Sequence, residues 1–258
     1  GIESDGQVVI MVHCGSRGFG HQIGTDYLQS FGAAMKKYGI KTNDRELACA
    51  PINSPEGKAY YGAMACAANS AFVNRQVITD DIRKSFARVF GKPADRMGMR
   101  LIYDVAHNIA KFEEYTVGKT KRLLVHRKGA TRAFGPGNPN LTSTFRETGQ
   151  PVLVGGSMQA GSYLLVGTKK AEDLTFGSTL HGAGRVMSRS KAKKKARGSD
   201  LQKKMEQDGI LVRAASFSGL AEEAGFAYKN VDEVVDVVTS VGISRKVARL
   251  LPLANIKG

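Results

Sequence analysis

Residues 152–168 read VLVGGSMQAGSYLLVGT, in which an apolar run at Val152–Val154 and another at Tyr163–Val166 flank a Gly-Gly-Ser turn region. Short apolar runs bounded by turn residues read as strands. Working outward, similar runs lie at Val8–Val12, Leu101–Val105, Leu123–Val125 and Ile210–Val212. Helical patterns stand between them. Gly20–Tyr38 reads as one helix, and a second begins at Ser54-Pro55-Glu56, where Ser caps, Pro fits the first turn and Glu favours the dipole. A third is expected from Thr79-Asp80-Asp81 to Gly91, and others near Gly184–Arg197, Asp200–Gln207 and Val231–Val241. Pro136–Thr144 reads as a polar loop. The alternation is not a regular βαβ series, so the expected class is α+β, mixed rather than doubly wound. No repeat and no linker divides the chain, which reads as one domain over residues 1–258.

At 258 residues the chain is long enough for a sizeable core, and 42% hydrophobic with 24% charged residues excludes disorder and coiled coil. No apolar run approaches the roughly 18 residues of a membrane span, so no membrane partner is expected. Cys14, Cys49 and Cys66 show no CxxC spacing, which favours a reduced, cytoplasmic setting. The net charge of +15 points to a polyanionic partner, because neutralising phosphates releases counterions. The core-like run so close to Gly1, with no initiator Met, reads as a piece incomplete at its amino terminus.

Two familiar sites are excluded. A Walker A loop fails because Glu113 stands where the leading Gly before Gly118-Lys119-Thr120 belongs, and neither HExxH nor CxxC occurs. What remains is a set of histidines beside glycines or strand ends. His13 follows Val8–Val12 and His107 follows Leu101–Val105. As neutral imidazoles they are candidates to share a divalent metal, or else to be hydrogen-bonded structural residues. His181 opens His181-Gly182-Ala183-Gly184-Arg185, read as an anion site at a helix start, with Arg185 and Arg189 adding charge. Gly155-Gly156-Ser157-Met158 reads either as a second backbone cradle or as a plain hairpin turn. The basic run Lys191–Arg197 is a solvated helix face or a phosphate track, and His126–Arg132 is a second basic turn. His21 reads as structural, on a helix's first turn.

Taken together, HCGSRGFGHQ (13–22), DVAHNIAK (104–111), HRKGATRAF (126–134), GGSMQAGSYLLVGT (155–168), HGAGR (181–185), AYKNVDEVV (227–235) and Lys257-Gly258 resemble the RtcB family of tRNA-splicing RNA ligases. The resemblance implies an enzyme that joins RNA 3′-phosphate or 2′,3′-cyclic phosphate ends to 5′-hydroxyl ends, using GTP and Mn²⁺ through a histidine–GMP intermediate. Its RNA partners would be tRNA exon halves or broken RNA, with an accessory activator among the expected partners. It further implies that His181 is the guanylylated nucleophile and that His13 and His107 are ligands of one Mn²⁺. Asn108, Gly155, Gly156, Ser157, Met158, Ser162, Gly182, Ala183 and Gly184 would line the guanosine and phosphates. Tyr228 would pack on the base, and Lys257 would contact guanine as a flexible clamp. Arg17, Lys128, Arg185 and Arg189 would bind RNA or triphosphate. The resemblance covers the carboxy-terminal half of the family's length; the amino-terminal half, which supplies a metal-bridging Cys, an Asp and a further His, is expected in cis or in trans. Cys14 stands where the family usually has Thr and is not promoted into that role. The alternative readings are a non-catalytic RNA- or nucleotide-binding module and, behind it, a metal-dependent phosphoesterase using His13 and His107.

Overall fold

The structure, a computed structural model, describes residues 1–258 apart from the side chain of Arg45. The chain forms two compact units, Gly1–Ala110 and Lys111–Gly258, where the sequence reading drew no boundary.

The first unit is built on α1 (Gly18–Lys37) and α2 (Pro55–Phe90). The predicted start of α2 is as read: Ser54 Oγ accepts from Gly57 N–H at 3.1 Å, Pro55 occupies the first turn, and Gly91 ends the helix in the left-handed conformation at φ 62°. The third helix expected at Thr79 does not exist as a separate element, because α2 runs through it. No Pro or Gly interrupts residues 63–90, Thr79 Oγ1 donates back to the Arg75 carbonyl at 2.8 Å, and Asp80 pairs with Lys84 one turn on at 2.5 Å. Residues that can cap a helix are thus satisfied inside one. The two helices meet through the rings of Tyr27, Phe31 and Tyr60, with centroids 5.1–5.9 Å apart. At Gly20 a Cβ would fall 2.3 Å from Ser16 Oγ and 3.4 Å from Ala67 Cβ, so the small residues let the backbones approach.

Two expected strands of this unit are corrected. Val8–Val12 and Leu101–Val105 are neither strands nor buried: Val8 and Leu101 are more than half exposed. An extended run becomes a strand only by pairing, and among the described residues nothing pairs with either.

The second unit carries the sheets. Strand β1 (Asn108–Val117), which begins in the first unit, forms a two-stranded sheet with β2 (Lys119–Lys128); Gly118 turns between them at φ 72°. Strand β3 (Ala130–Arg132) follows, then α3 (Ser143–Arg146), which closes the predicted loop at 136–144. The opening sequence forms the hairpin as read: β4 (Pro151–Gly155) and β5 (Ser162–Gly167) are antiparallel, Val154 opposite Tyr163. After α4 (Lys169–Thr175) comes β6 (Ser178–Leu180), antiparallel to β3, with Leu180 opposite Ala130. Next are α5 (Arg189–Lys195), α6 (Gly198–Gln207), β7 (Leu211–Ala214), α7 (Phe217–Glu222) and α8 (Val231–Ser240). Strand β8 (Ser244–Leu250) joins the far edge of β5, and β9 (Ala254–Lys257) pairs in parallel with β7.

Strand β5 is buried along its whole length between β4 and β8, which is why Tyr163–Val166 form an unbroken apolar run rather than alternating. One core gathers Val152, Val154, Tyr163 and Leu165 against Val231 and Val235 of α8. A second gathers Leu201, Met205, Ile210, Val212 and Leu220, with Met158 packed against it. Among the described residues no helix is long and apolar enough to cross a membrane.

Candidate active site

In the first unit the two predicted metal-ligating histidines meet. His13 Nε2 and His107 Nε2 lie 2.9 Å apart, their rings edge to face at 5.1 Å. Neither is held by a strand end, as the sequence reading supposed. Both loops are fastened to the middle of α2 by residues that reading passed over. Arg75, 9% exposed, donates from Nε to Asp104 Oδ1 at 2.6 Å and from Nη1 to the Cys14 carbonyl at 3.0 Å. Asn74 Nδ2 reaches the Gly15 carbonyl at 2.8 Å and Cys14 Sγ at 3.1 Å. The only hint in the sequence was an Arg and an Asn in mid-helix, together with Asp104 just before His107. Two imidazole nitrogens facing each other at this range suit a shared divalent ion. Among the described residues no group of three His, Cys, Asp or Glu that could hold a metal ion is assembled. Asp104 is engaged by Arg75, and Cys14 accepts from Asn74.

Arg17 caps α1 without a side-chain cap bond, at φ 55°, a left-handed value that costs a non-glycine residue strain. Its side chain is exposed, as is that of His21 one turn later. Asn108 opens β1 directly after His107.

In the second unit His181 follows β6, and the β3–β6 register sets it beside Gly129, which turns β2 into β3 at φ 67°. His181 Nδ1 lies 2.5 Å from the Gly129 carbonyl oxygen. A carbonyl only accepts, so the imidazole donates from Nδ1, and in the neutral ring the lone pair belongs to Nε2. The adjoining backbone is threaded into the hairpin end: Gly155 N–H donates to the His181 carbonyl at 3.0 Å, and Ala183 N–H to the Gly155 carbonyl at 2.8 Å.

The helix start expected at Gly182–Gly184 is corrected: residues 182–188 are not helical, and the helix begins only at Arg189. Their backbone groups bond elsewhere, Val186 N–H to the Ala227 carbonyl at 2.8 Å and Lys229 N–H to the Gly184 carbonyl at 3.0 Å, and Gly184 sits at φ 77°. Gly155–Met158 form the β4–β5 hairpin connection. Ser157 Oγ accepts from Ala160 N–H at 3.0 Å, and buried Ser162 turns its hydroxyl towards Gly156 N–H at 3.4 Å. Gly156 is compulsory here, since a Cβ would lie 2.0 Å from the Gly161 carbonyl oxygen.

Around Tyr228 a network brings four predicted residues together on two acids that the sequence reading did not single out. Glu222 ends α7 and Glu223 follows it. Tyr228 Oη donates to Glu223 Oε2, while Arg185 Nη1 donates to Tyr228 Oη at 2.9 Å with its guanidinium 4.8 Å over the ring. Arg185 also donates to the Glu222 carbonyl at 2.6 Å and to the Met187 carbonyl at 3.1 Å. Burial, and then the Glu223 carboxylate, push the Tyr228 phenol above its ordinary pKa. Arg189 lies 3.7 Å and Lys257 3.9 Å from Glu223 Oε1, and Lys193 pairs with Glu222 at 2.9 Å. The backbone at Lys257 is held rather than loose: Lys257 is the last residue of β9, opposite Ala214, and its carbonyl accepts from Ala215 N–H at 2.9 Å.

The predicted basic turn divides. Lys128 and His126 are exposed, but Arg127 is buried and forms a two-pronged bond to Glu113 at 2.7 and 2.8 Å. The alternation along β2 carried that distinction, since residues two apart share a face.

The family model described as "tRNA-splicing ligase RtcB" matches residues 1–258. Over the whole chain it is 58% identical to the tRNA-splicing ligase RtcB of Archaeoglobus fulgidus and 53% identical to that of Methanococcus maripaludis, covering 54% of each. The Thermococcus kodakarensis protein of the same name is 52% identical over 98% of the chain, which covers 53% of it. The chain thus spans about half the length of these curated relatives. With a family match running unbroken through both units and identities above one half, the chain belongs to the RtcB family of tRNA-splicing ligases.

Proposed function

We propose that the chain carries the guanylyl-transfer machinery of an RNA ligase that uses GTP and joins RNA 3′-phosphate or 2′,3′-cyclic phosphate ends to 5′-hydroxyl ends. The observation that carries this reading is the His181–Gly129 bond. A nucleophilic imidazole must be neutral and must present a lone pair, and a hydrogen bond from Nδ1 to a carbonyl selects that tautomer. In the proposed sequence His181 Nε2 bonds to the α-phosphorus of GTP as the bond to pyrophosphate breaks. A 2′,3′-cyclic end would first be opened by water to a 3′-phosphate; the GMP then passes from His181 to the 3′-phosphate, and the 5′-hydroxyl attacks that phosphorus as GMP leaves, closing the phosphodiester.

His13 and His107 would hold a divalent ion, proposed as Mn²⁺, as two donors of a larger set. When bound, it would supply charge neutralisation at the phosphate oxygens. Guanosine would lie by Tyr228 and Lys257. Gly155–Met158, Ser162 and Gly182–Gly184 would shape the backbone near His181, with Asn108 beside the metal-binding pair. Exposed Arg17, Lys128 and Arg189 would meet RNA phosphates, whereas Arg185, whose donors are engaged within the chain, would brace Tyr228.

Labelled GTP and Mn²⁺ test the reading, with this protein alone and with the portion of the Archaeoglobus fulgidus relative that it does not match. An acid-labile protein adduct that disappears in His181→Ala is the expected result. Label retained in His181→Ala would discard the nucleophile assignment. Folded protein that binds RNA but takes no label in either sample would favour a non-catalytic RNA-binding module.

A further inference from the structure

Glu223 is the one group to which the proposed guanine-side residues and a proposed phosphate-binding arginine all turn. Its side chain is 16% exposed; the carboxylate accepts from Tyr228 Oη and lies within 4 Å of Arg185, Arg189 and Lys257. The four contacts differ in kind. Tyr228 and Arg185 are locked: the phenol lies between Glu223 and Arg185, and Arg185 is tied to two backbone carbonyls. Arg189 and Lys257 stand off at 3.7 and 3.9 Å, beyond hydrogen-bond length, with side chains 67% and 42% exposed. An exposed cation at that distance is attracted without being immobilised, and such pairs are individually weak.

Resting on the ligase reading above, we propose that Glu223 is a positioning residue of the nucleotide site: it fixes the Tyr228 ring and keeps Lys257 facing it, so that the pair selects guanine. Removing its charge has two opposite consequences. The local field becomes more positive, which favours any polyanion. At the same time Lys257 loses its orienting partner and Tyr228 loses its charged acceptor, which harms base selection alone. A residue that merely held the fold together would weaken all ligands alike.

The experiment measures GTP, ATP and single-stranded RNA affinities by calorimetry on the wild-type protein, Glu223→Gln, Lys257→Met and the double variant. Expected for Glu223→Gln is a loss of about tenfold in GTP affinity, with ATP and RNA affinities unchanged or slightly raised. Because part of the effect of Glu223 runs through Lys257 and the rest through Tyr228, the double variant should be worse than Lys257→Met by clearly less than the single Glu223→Gln loss. Glu222→Gln, which leaves the Glu223 contacts in place, should keep the GTP preference. Equal losses for GTP, ATP and RNA, or fully additive losses in the double variant, would overturn the proposal. A wild-type protein with no preference for GTP over ATP would instead overturn the guanine reading beneath it. If Glu223→Gln does not fold, Glu223→Asp withdraws the carboxylate by one methylene and carries the same expectation.

Discussion

Arg127 and Glu113 show how little a residue's type says about its role. Both stand among other charged residues in the sequence, yet their side chains are 1% and 6% exposed and satisfy one another in a two-pronged bond. Arg127 also donates to Ser178 Oγ and the Phe176 carbonyl, both at 2.9 Å, so β2 is tied to the turn that leads into β6. Tyr115 donates to Glu113 at 2.9 Å, and burial raises its phenol pKa above the ordinary value. Glu113→Ala leaves a buried guanidinium without its counter-charge, and a loss of roughly 3–5 kcal/mol is expected in urea unfolding. A loss under about 1 kcal/mol would mean that the pair is balanced by its own desolvation. At this scale the sequence exposed the chemistry-bearing types, His13, His107 and His181, because the chain has only five histidines and each of these sits in a short motif that can be read as a block. It hid Arg75, Glu113 and Glu223, since charged residues look alike until burial separates them.

Among the elements, legibility followed burial. The β4–β5 hairpin and α8 were readable because each has a face or a length that only a core can account for; Val231, Val234, Val235 and Val238 fall on one side of α8. Strand β8 was not readable, since Arg245, Lys246 and Arg249 line an edge strand, where charge is what discourages unwanted pairing. The two expected strands before His13 and His107 failed because apolar content only suggests a strand, whereas pairing is what makes one. What holds those loops is α2. Arg75→Met removes both of its links while keeping the stem's bulk, so the Nε2–Nε2 approach should loosen. Titration with Mn²⁺ or Zn²⁺ should show affinity reduced about 10–100-fold, the range for losing a ligand's support, with the helical circular dichroism retained. Unchanged metal affinity would show that the imidazoles orient themselves.

Over the whole molecule, buried apolar side chains are unevenly shared. The first unit buries Phe31, Ala34, Ala71 and Ala110, while the second holds both cores. Val8, Phe19, Leu28, Val73, Val77, Val89, Phe90 and Leu101 of the first unit are exposed. Local stability follows buried contacts, so hydrogen exchange should open α1 and the ends of α2 well before β5. Protection of α1 equal to that of β5 would contradict this. No composition-level reading could have located that asymmetry, because the apolar residues are present in both units and differ only in what covers them.

The 36-residue length of α2 bears on the behaviour of the histidine pair when the protein is warmed. Helices fray from their ends, by about a turn at a time. Asn74 and Arg75 lie roughly four to five turns from either terminus, so the loops of His13 and His107 hang from the segment that melts last. The spacing between the imidazoles should therefore hold nearly constant on heating and vanish in a single step, when the helix itself is lost.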